Sequence, residues 1–149
     1  MATSYDTIWT TFLENCKTPD INLPSTDERK YAVIQNAILL FNNRMRTTIK
    51  CDDENETVDT DMSDDQLILL AHYIKLVFLS NEKTYYETLL NPFQKDIGFR
   101  NHAAQINSIR GSVTEQEKFI ERLIINQTED FLWLSMWKYR KKMDLNLRD

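Results

Sequence analysis

Apolar residues recur along most of this chain at the spacing of an α-helix. Tyr5, Ile8, Trp9, Phe12, Leu13 and Cys16 share one helical face. They predict a first helix that starts after Ser4 and ends near Lys17, because Pro19 pushes the residue before it out of helical geometry. Ser25 followed by Glu28 has the form of a capping box. It introduces a second stripe, Tyr31, Ile34, Ile38, Phe41 and Met45, which Val33, Ala37 and Leu40 widen. Ser63 and Gln66 make another box, with Asp64 and Asp65 suiting the positive end of a helix dipole. The stripe behind it, Leu67, Leu70, Ala71, Ile74, Val77 and Phe78, is the most apolar and belongs at the centre of the molecule. This third helix is expected to reach about Leu79. Lys83 to Leu90 either continues it or forms a short helix, and Asn91-Pro92 is the stop. Phe93 to Arg100, with Gly98, reads as a loop. A long helix is then expected from Asn101 to about Ile125. In it Ile106, Ile109, Val113, Ile120 and Leu123 sit near a seven-residue repeat, a stripe that can form a coiled-coil-like seam, with polar Gln116 inside it. Gly111 weakens that helix by about 1 kcal/mol against Ala, which a kink or a close neighbour would explain.

Two stretches depart from this pattern. Between residues 50 and 65 there are eight acids and one lysine, with no apolar period. This reads as a solvated acidic loop, with a short extended piece at Thr47 to Ile49 or at Thr57 and Val58. Residues 128–149 are the second. Phe131, Leu132, Trp133, Leu134, Met136, Trp137 and Tyr139 crowd together, and Lys138, Arg140, Lys141 and Lys142 follow or interleave. Both a helix and a strand leave large apolar groups on more than one face. The segment either docks on the chain's own core as a last helix or buries its aromatics in another subunit. In the second case Phe131, Trp133, Trp137 and Tyr139, with Lys138, Arg140 and Lys141, form the anchor. A membrane surface fits poorly, because no clean amphipathic face exists.

Two glycines and three prolines in 149 residues favour long helices over a turn-rich sheet. The expected architecture is all-α: a bundle of four to five helices over residues 1–127, an acidic loop within it, and a C-terminal segment at 128–149. A net charge of −5 argues against a dedicated nucleic-acid binder. Cys16 and Cys51 have neither disulfide-framework nor zinc-site spacing and read as thiols in a reducing compartment. No secretory signal opens the chain and no apolar run spans a bilayer. Neither His72 nor His102 belongs to a recognisable catalytic grouping, and the acidic run lacks the glycine and ligand spacing of a calcium loop. Asn126-Gln127-Thr128 matches a glycosylation sequon but lacks the secretory context that would give it meaning. No enzyme activity, cofactor or metal is expected.

The chain resembles the small helical head–tail connector (adaptor or neck) proteins of tailed bacteriophages. The resemblance rests on the first helix, Tyr5-Asp6-Thr7-Ile8-Trp9-Thr10-Thr11-Phe12; on Tyr31-Ala32-Val33-Ile34-Gln35-Asn36-Ala37 and Phe41-Asn42-Asn43-Arg44-Met45-Arg46; and on Leu70-Ala71-His72-Tyr73-Ile74-Lys75-Leu76 followed by Phe93-Gln94-Lys95-Asp96-Ile97-Gly98. It covers roughly residues 5–125. It implies a virion protein of the neck, assembled in the host cytoplasm as a homo-oligomeric ring, usually of twelve copies. Such a ring sits below the portal protein, receives the next neck or tail-completion protein, and passes DNA without reading its sequence. The aromatic, basic tail would then reach the portal, and the third helix and the long helix from Asn101, with Ile106, Ile109, Val113 and Ile120, would be candidates for the head-to-tail contact between subunits. The competing expectations are a small regulatory or DNA-binding phage protein, such as a small terminase subunit, and a small enzyme or nuclease inhibitor.

Overall fold

The computed structural model describes residues 2–18, 23–93 and 99–146; within the helices, the side chains of residues 89–93, 99–102, 129–135, 137–139 and 141–146 fall outside the description. The fold is mostly helical, with four helices and a three-stranded sheet of two-residue strands. The helices are α1 (Tyr5–Asn15), α2 (Asp27–Met45), α3 (Asp64–Phe93) and α4 (Phe99–Asn146), and the strands are β1 (Thr3–Ser4), β2 (Cys51–Asp52) and β3 (Thr57–Val58). The expected helical architecture holds, with the small sheet added to it, and Thr57 and Val58 form one of the extended pieces that the sequence suggests.

Helix α1 begins where Ser4 Oγ accepts a hydrogen bond from the Thr7 amide at 3.1 Å. Tyr5, Ile8, Phe12 and Cys16 are buried, and Trp9 packs at the core's edge. Leu13 is 48% exposed, so the apolar stripe is wider than the contact α1 makes with its neighbours. Pro19, the expected stop, lies outside the described residues. Helix α2 is capped by Thr26, not Ser25: its Oγ1 accepts from the Arg29 amide at 3.5 Å. With the helix starting at Asp27, Glu28 is the second helical residue and cannot close a box. Leu40 stays on the surface at 41% exposure and does not widen the buried stripe.

At the end of α2 the chain turns back along the helix. Arg46 takes the left-handed conformation, φ 56°. Asn42 then holds the returning chain: its Oδ1 accepts from Thr47 Oγ1 at 2.8 Å and from the Ile49 amide at 3.0 Å, and its Nδ2 donates to the Ile49 carbonyl at 2.8 Å. β3 is central in the sheet, antiparallel to β1 and β2, with Val58 facing both Thr3 and Cys51. Thr3 ties the N-terminus to the start of α3, since its Oγ1 donates to the Thr60 carbonyl and accepts from the Met62 amide, each at 2.9 Å.

Helix α3 opens with both halves of the expected box, the Ser63 amide to Gln66 Oε1 at 3.0 Å and the Gln66 amide to Ser63 Oγ at 3.4 Å. Leu67, Leu69, Leu70, Ala71, Tyr73, Ile74, Leu76 and Val77 are buried, which puts this helix at the centre, with α1, α2 and α4 packed around it. It runs unbroken to Phe93 instead of pausing at Leu79. Helix α4 likewise joins two expected segments into one helix of 48 residues, about 72 Å long at 1.5 Å per residue. No strand forms in the tail through Asn146. Gly111 has nothing within 4 Å of where a Cβ would sit, so no close neighbour requires it. Gly111→Ala is therefore expected to stabilise the protein by about 1 kcal/mol, read as a higher urea midpoint at unchanged slope.

Candidate interaction surface

Three polar contacts between α4 and its neighbours set the position of its C-terminal end. Arg110 pairs with Glu87 at 2.8 Å. Gln116, only 7% exposed, donates through Nε2 to His72 Nδ1 at 3.1 Å and to the His72 carbonyl at 3.2 Å. Gln127 donates to the Asp65 carbonyl at 3.2 Å. Partner numbers fall on α3 as they rise on α4, so the two helices are antiparallel. Because α3 begins at Asp64, α4 passes the end of its partner near Gln127 and continues to Asn146, about 27 Å further. Among the described residues, α3 is the only element with which α4 makes an extended contact.

The seam residues of α4 divide accordingly. Val113 and Ile120 are buried in the chain's own core, while Ile106 and Ile109 are half-buried. Two of the four residues suggested for a subunit contact are thus already covered by α3. Of the suggested anchor, Phe131, Trp133, Trp137, Lys138, Tyr139 and Lys141 lie on the helix beyond Gln127, with side chains outside the described residues. Arg140 is exposed, and neighbouring Met136 is 71% exposed.

The buried seam carries the only close approach of a thiol and an imidazole among the described residues. Cys16 Sγ donates to the Ala71 carbonyl at 3.5 Å and lies 3.8 Å from His72 Nδ1. Burial pushes the Cys16 thiol up to about 11, with Lys75 opposing weakly. Burial also holds His72 below the usual imidazole range, and Lys75 adds to this. A protonated thiol beside a neutral imidazole is a packing unit, not an activated nucleophile. Nδ1 accepts from Gln116, which leaves the ring proton on Nε2. This polar trio, with Cys16 and Gln116 buried and His72 half-buried, fixes how α1, α3 and α4 register against one another.

The acidic stretch is a pinned hairpin. Asp52 Oδ1 accepts from the amides of Glu54 and Asn55 at 3.1 Å each, making an Asx turn. Asp53 receives the Tyr5 hydroxyl and Gln35 Nε2, both at 2.6 Å, and Tyr31 donates to Glu56. The composition of the stretch suggested a solvated loop; the partners that pin it come from α1 and α2 and leave no mark in its own pattern. Glu54 remains exposed, and Leu39, one turn along α2 from Gln35, is 65% exposed. Elsewhere an open groove of about 700 Å³ lies between α2 and α3, lined by Leu23, Val33, Phe78 and Tyr85, with one charge of each sign in Arg29 and Glu82. Among the described residues, no three of His, Cys, Asp and Glu gather as a cation site, and no helix is long and apolar enough to cross a membrane.

Comparison with known proteins places the chain in a family. No solved structure matches the chain. The SPbeta prophage-derived uncharacterized protein YomZ of Bacillus subtilis (strain 168) is 48% identical over 130 residues, covering 87% of this chain and 99% of that protein. The relative is thus used almost in full. The model of the YomZ prophage protein family matches residues 1–129 and stops close to where α4 leaves α3. The chain belongs to the YomZ prophage protein family.

Proposed function

We propose that this prophage protein is a structural component of the virion, a head–tail connector that assembles with other subunits of the neck and performs no turnover. The observation that carries the reading is the run of α4 past the end of α3. A helix whose sequence holds three large aromatics and two leucines within seven residues, Phe131 to Trp137, gains little from water and much from a partner that covers it. The bundle supplies a stiff mount: a central helix wrapped by three others, with the register of α4 set by buried Gln116 against half-buried His72. The prophage family supplies the setting. The resemblance to connectors supplies the specific form, a ring below the portal that continues the DNA channel, holds DNA without reading its sequence, and receives the next neck protein. The family match ends at residue 129, close to where α4 leaves α3, which supports reading the segment beyond it as the part that grips another subunit.

The test is the solution mass of the chain by light scattering over a concentration series, alone and with the portal ring of the same phage. The expected result is a closed oligomer, or a monomer that assembles on the portal. Removing residues 128–149 should leave a folded bundle, judged by helical circular dichroism, that no longer assembles. Assembly that survives this truncation would exclude the tail as the grip. A full-length chain that stays a monomer or dimer, ignores the portal, and shifts DNA in a strongly salt-dependent way would replace the connector with a DNA-binding regulator.

A further inference from the structure

We infer that the partner of the projecting end of α4 is a second copy of this chain, and that it docks on the acidic hairpin and the adjoining face of α2. The inference rests on the assembly reading above and names the surface involved.

The first argument is complementarity. The tail combines apolar bulk with four cations between Lys138 and Lys142 and no acid in that span. The matching surface needs exposed apolar area beside dense negative charge. The hairpin tip holds Asp52, Asp53, Glu54 and Glu56 within five residues, and Leu39, one turn along α2 from the Gln35 that binds Asp53, is 65% exposed. The hairpin is also held in place before any partner arrives, by Gln35 and Tyr5 on Asp53 and by Tyr31 on Glu56. A surface fixed in advance loses little conformational freedom on binding, and opposite net charges steer the encounter.

The second argument is that the two surfaces cannot meet within one molecule. Phe41 packs on Tyr73, while Val33 shares a groove with Phe78 and Tyr85, so α2 is antiparallel to α3. Helices α2 and α4 therefore run in the same direction. They are joined at Arg44 and Glu121, whose two hydrogen bonds measure 2.8 and 2.7 Å. From that pair the hairpin tip lies back along α2, beside Gln35 and Tyr31, while Lys138 lies forward along α4. At 1.5 Å per residue the two are separated by about 40 Å along the bundle. An end that cannot reach its own acceptor but fits the same acceptor on another copy makes a head-to-tail contact, which closes into a ring or extends as a filament.

The experiment changes the charge at four positions of the full chain. One variant carries Arg140→Glu and Lys141→Glu; the other carries Leu39→Lys and Glu54→Lys. Each variant alone is expected to self-associate at least tenfold more weakly than the parent in sedimentation velocity, with unchanged circular dichroism. The two variants mixed, or all four changes in one chain, are expected to recover association. The parent contact should weaken as salt rises. Parent-like association of either variant alone, loss without recovery, or a parent that is monomeric at every concentration would each overturn the inference. Assembly on the portal ring, measured separately, decides the connector reading in every one of these cases.

Discussion

Phe12→Ala is expected to cost about 3–5 kcal/mol of folding stability, the usual range for emptying a buried aromatic site. Phe12 is 0% exposed. Its ring lies 5.6 Å from that of Phe78 in a stacked arrangement and 5.1 Å from Trp9. Truncation removes both ring contacts and leaves a cavity between α1 and α3 that two helices can only partly close. The midpoint of urea unfolding reads the loss, and Phe12→Leu, which keeps most of the volume, should lose clearly less. A second readout is Cys16, one turn further along α1. Loosening the helix should make this buried thiol react faster with a thiol reagent, relative to half-buried Cys51. A loss below about 1 kcal/mol would mean that α1 is not part of the cooperative core, since exposed or collapsible sites give values of that size.

Acid is expected to weaken the fold through His72. Its imidazole is held below the ordinary value of 6.5 in the folded chain, first by burial and then by Lys75. The unfolded chain therefore takes up a proton at a higher pH than the folded one. The stability that depends on a neutral His72 is present above pH 6.5 and falls as pH drops from there through the lowered folded value. The geometry gives the same sign. Protonated Nδ1 would become a donor facing the Gln116 amide donor, 3.1 Å away, with the His72–Phe119 ring contact at 4.6 Å beside it. His72→Gln should flatten the dependence of the unfolding midpoint between pH 7.5 and 5. An unchanged slope in that variant would assign the effect to other groups. The exposed carboxylates Asp52, Asp59 and Glu121, which hydrogen bonds hold below the usual range, lose their contribution only at lower pH.

Both effects depend on partners distant in sequence, and this separates what was legible from what was not. Helix existence was legible because its causes are local: the steps of three and four residues from Tyr5 to Ile8 to Phe12, the Ser4 cap on Thr7, and the reciprocal Ser63 and Gln66 bonds each link positions no more than four residues apart. The same locality explains why Thr26 displaced Ser25 as a cap, since two adjacent hydroxyl residues are near-equal competitors for one role. The sheet was mostly hidden. Its strands are two residues long, too short for a period, and β1 reaches β3 across more than fifty positions. Exposure was hidden where a stripe was wider than its contact, as at Leu13 and Leu40.

The candidate surface divides in the same way. From the sequence alone come the helical character of the chain, the crowding of aromatics and cations after residue 128, and the acidity of residues 50–65, because composition and short-range spacing carry them. The tertiary structure alone decides three things. The antiparallel pairing of α3 and α4 carries the backbone of α4 past the start of α3. The hydroxyls and amide that hold Asp53 and Glu56 turn an acidic stretch into a fixed surface. The burial of Val113 and Ile120 by α3 takes half of the seam out of reach of a partner. Each follows from contacts between residues far apart in the chain, and the pattern of any one segment does not encode its distant neighbour.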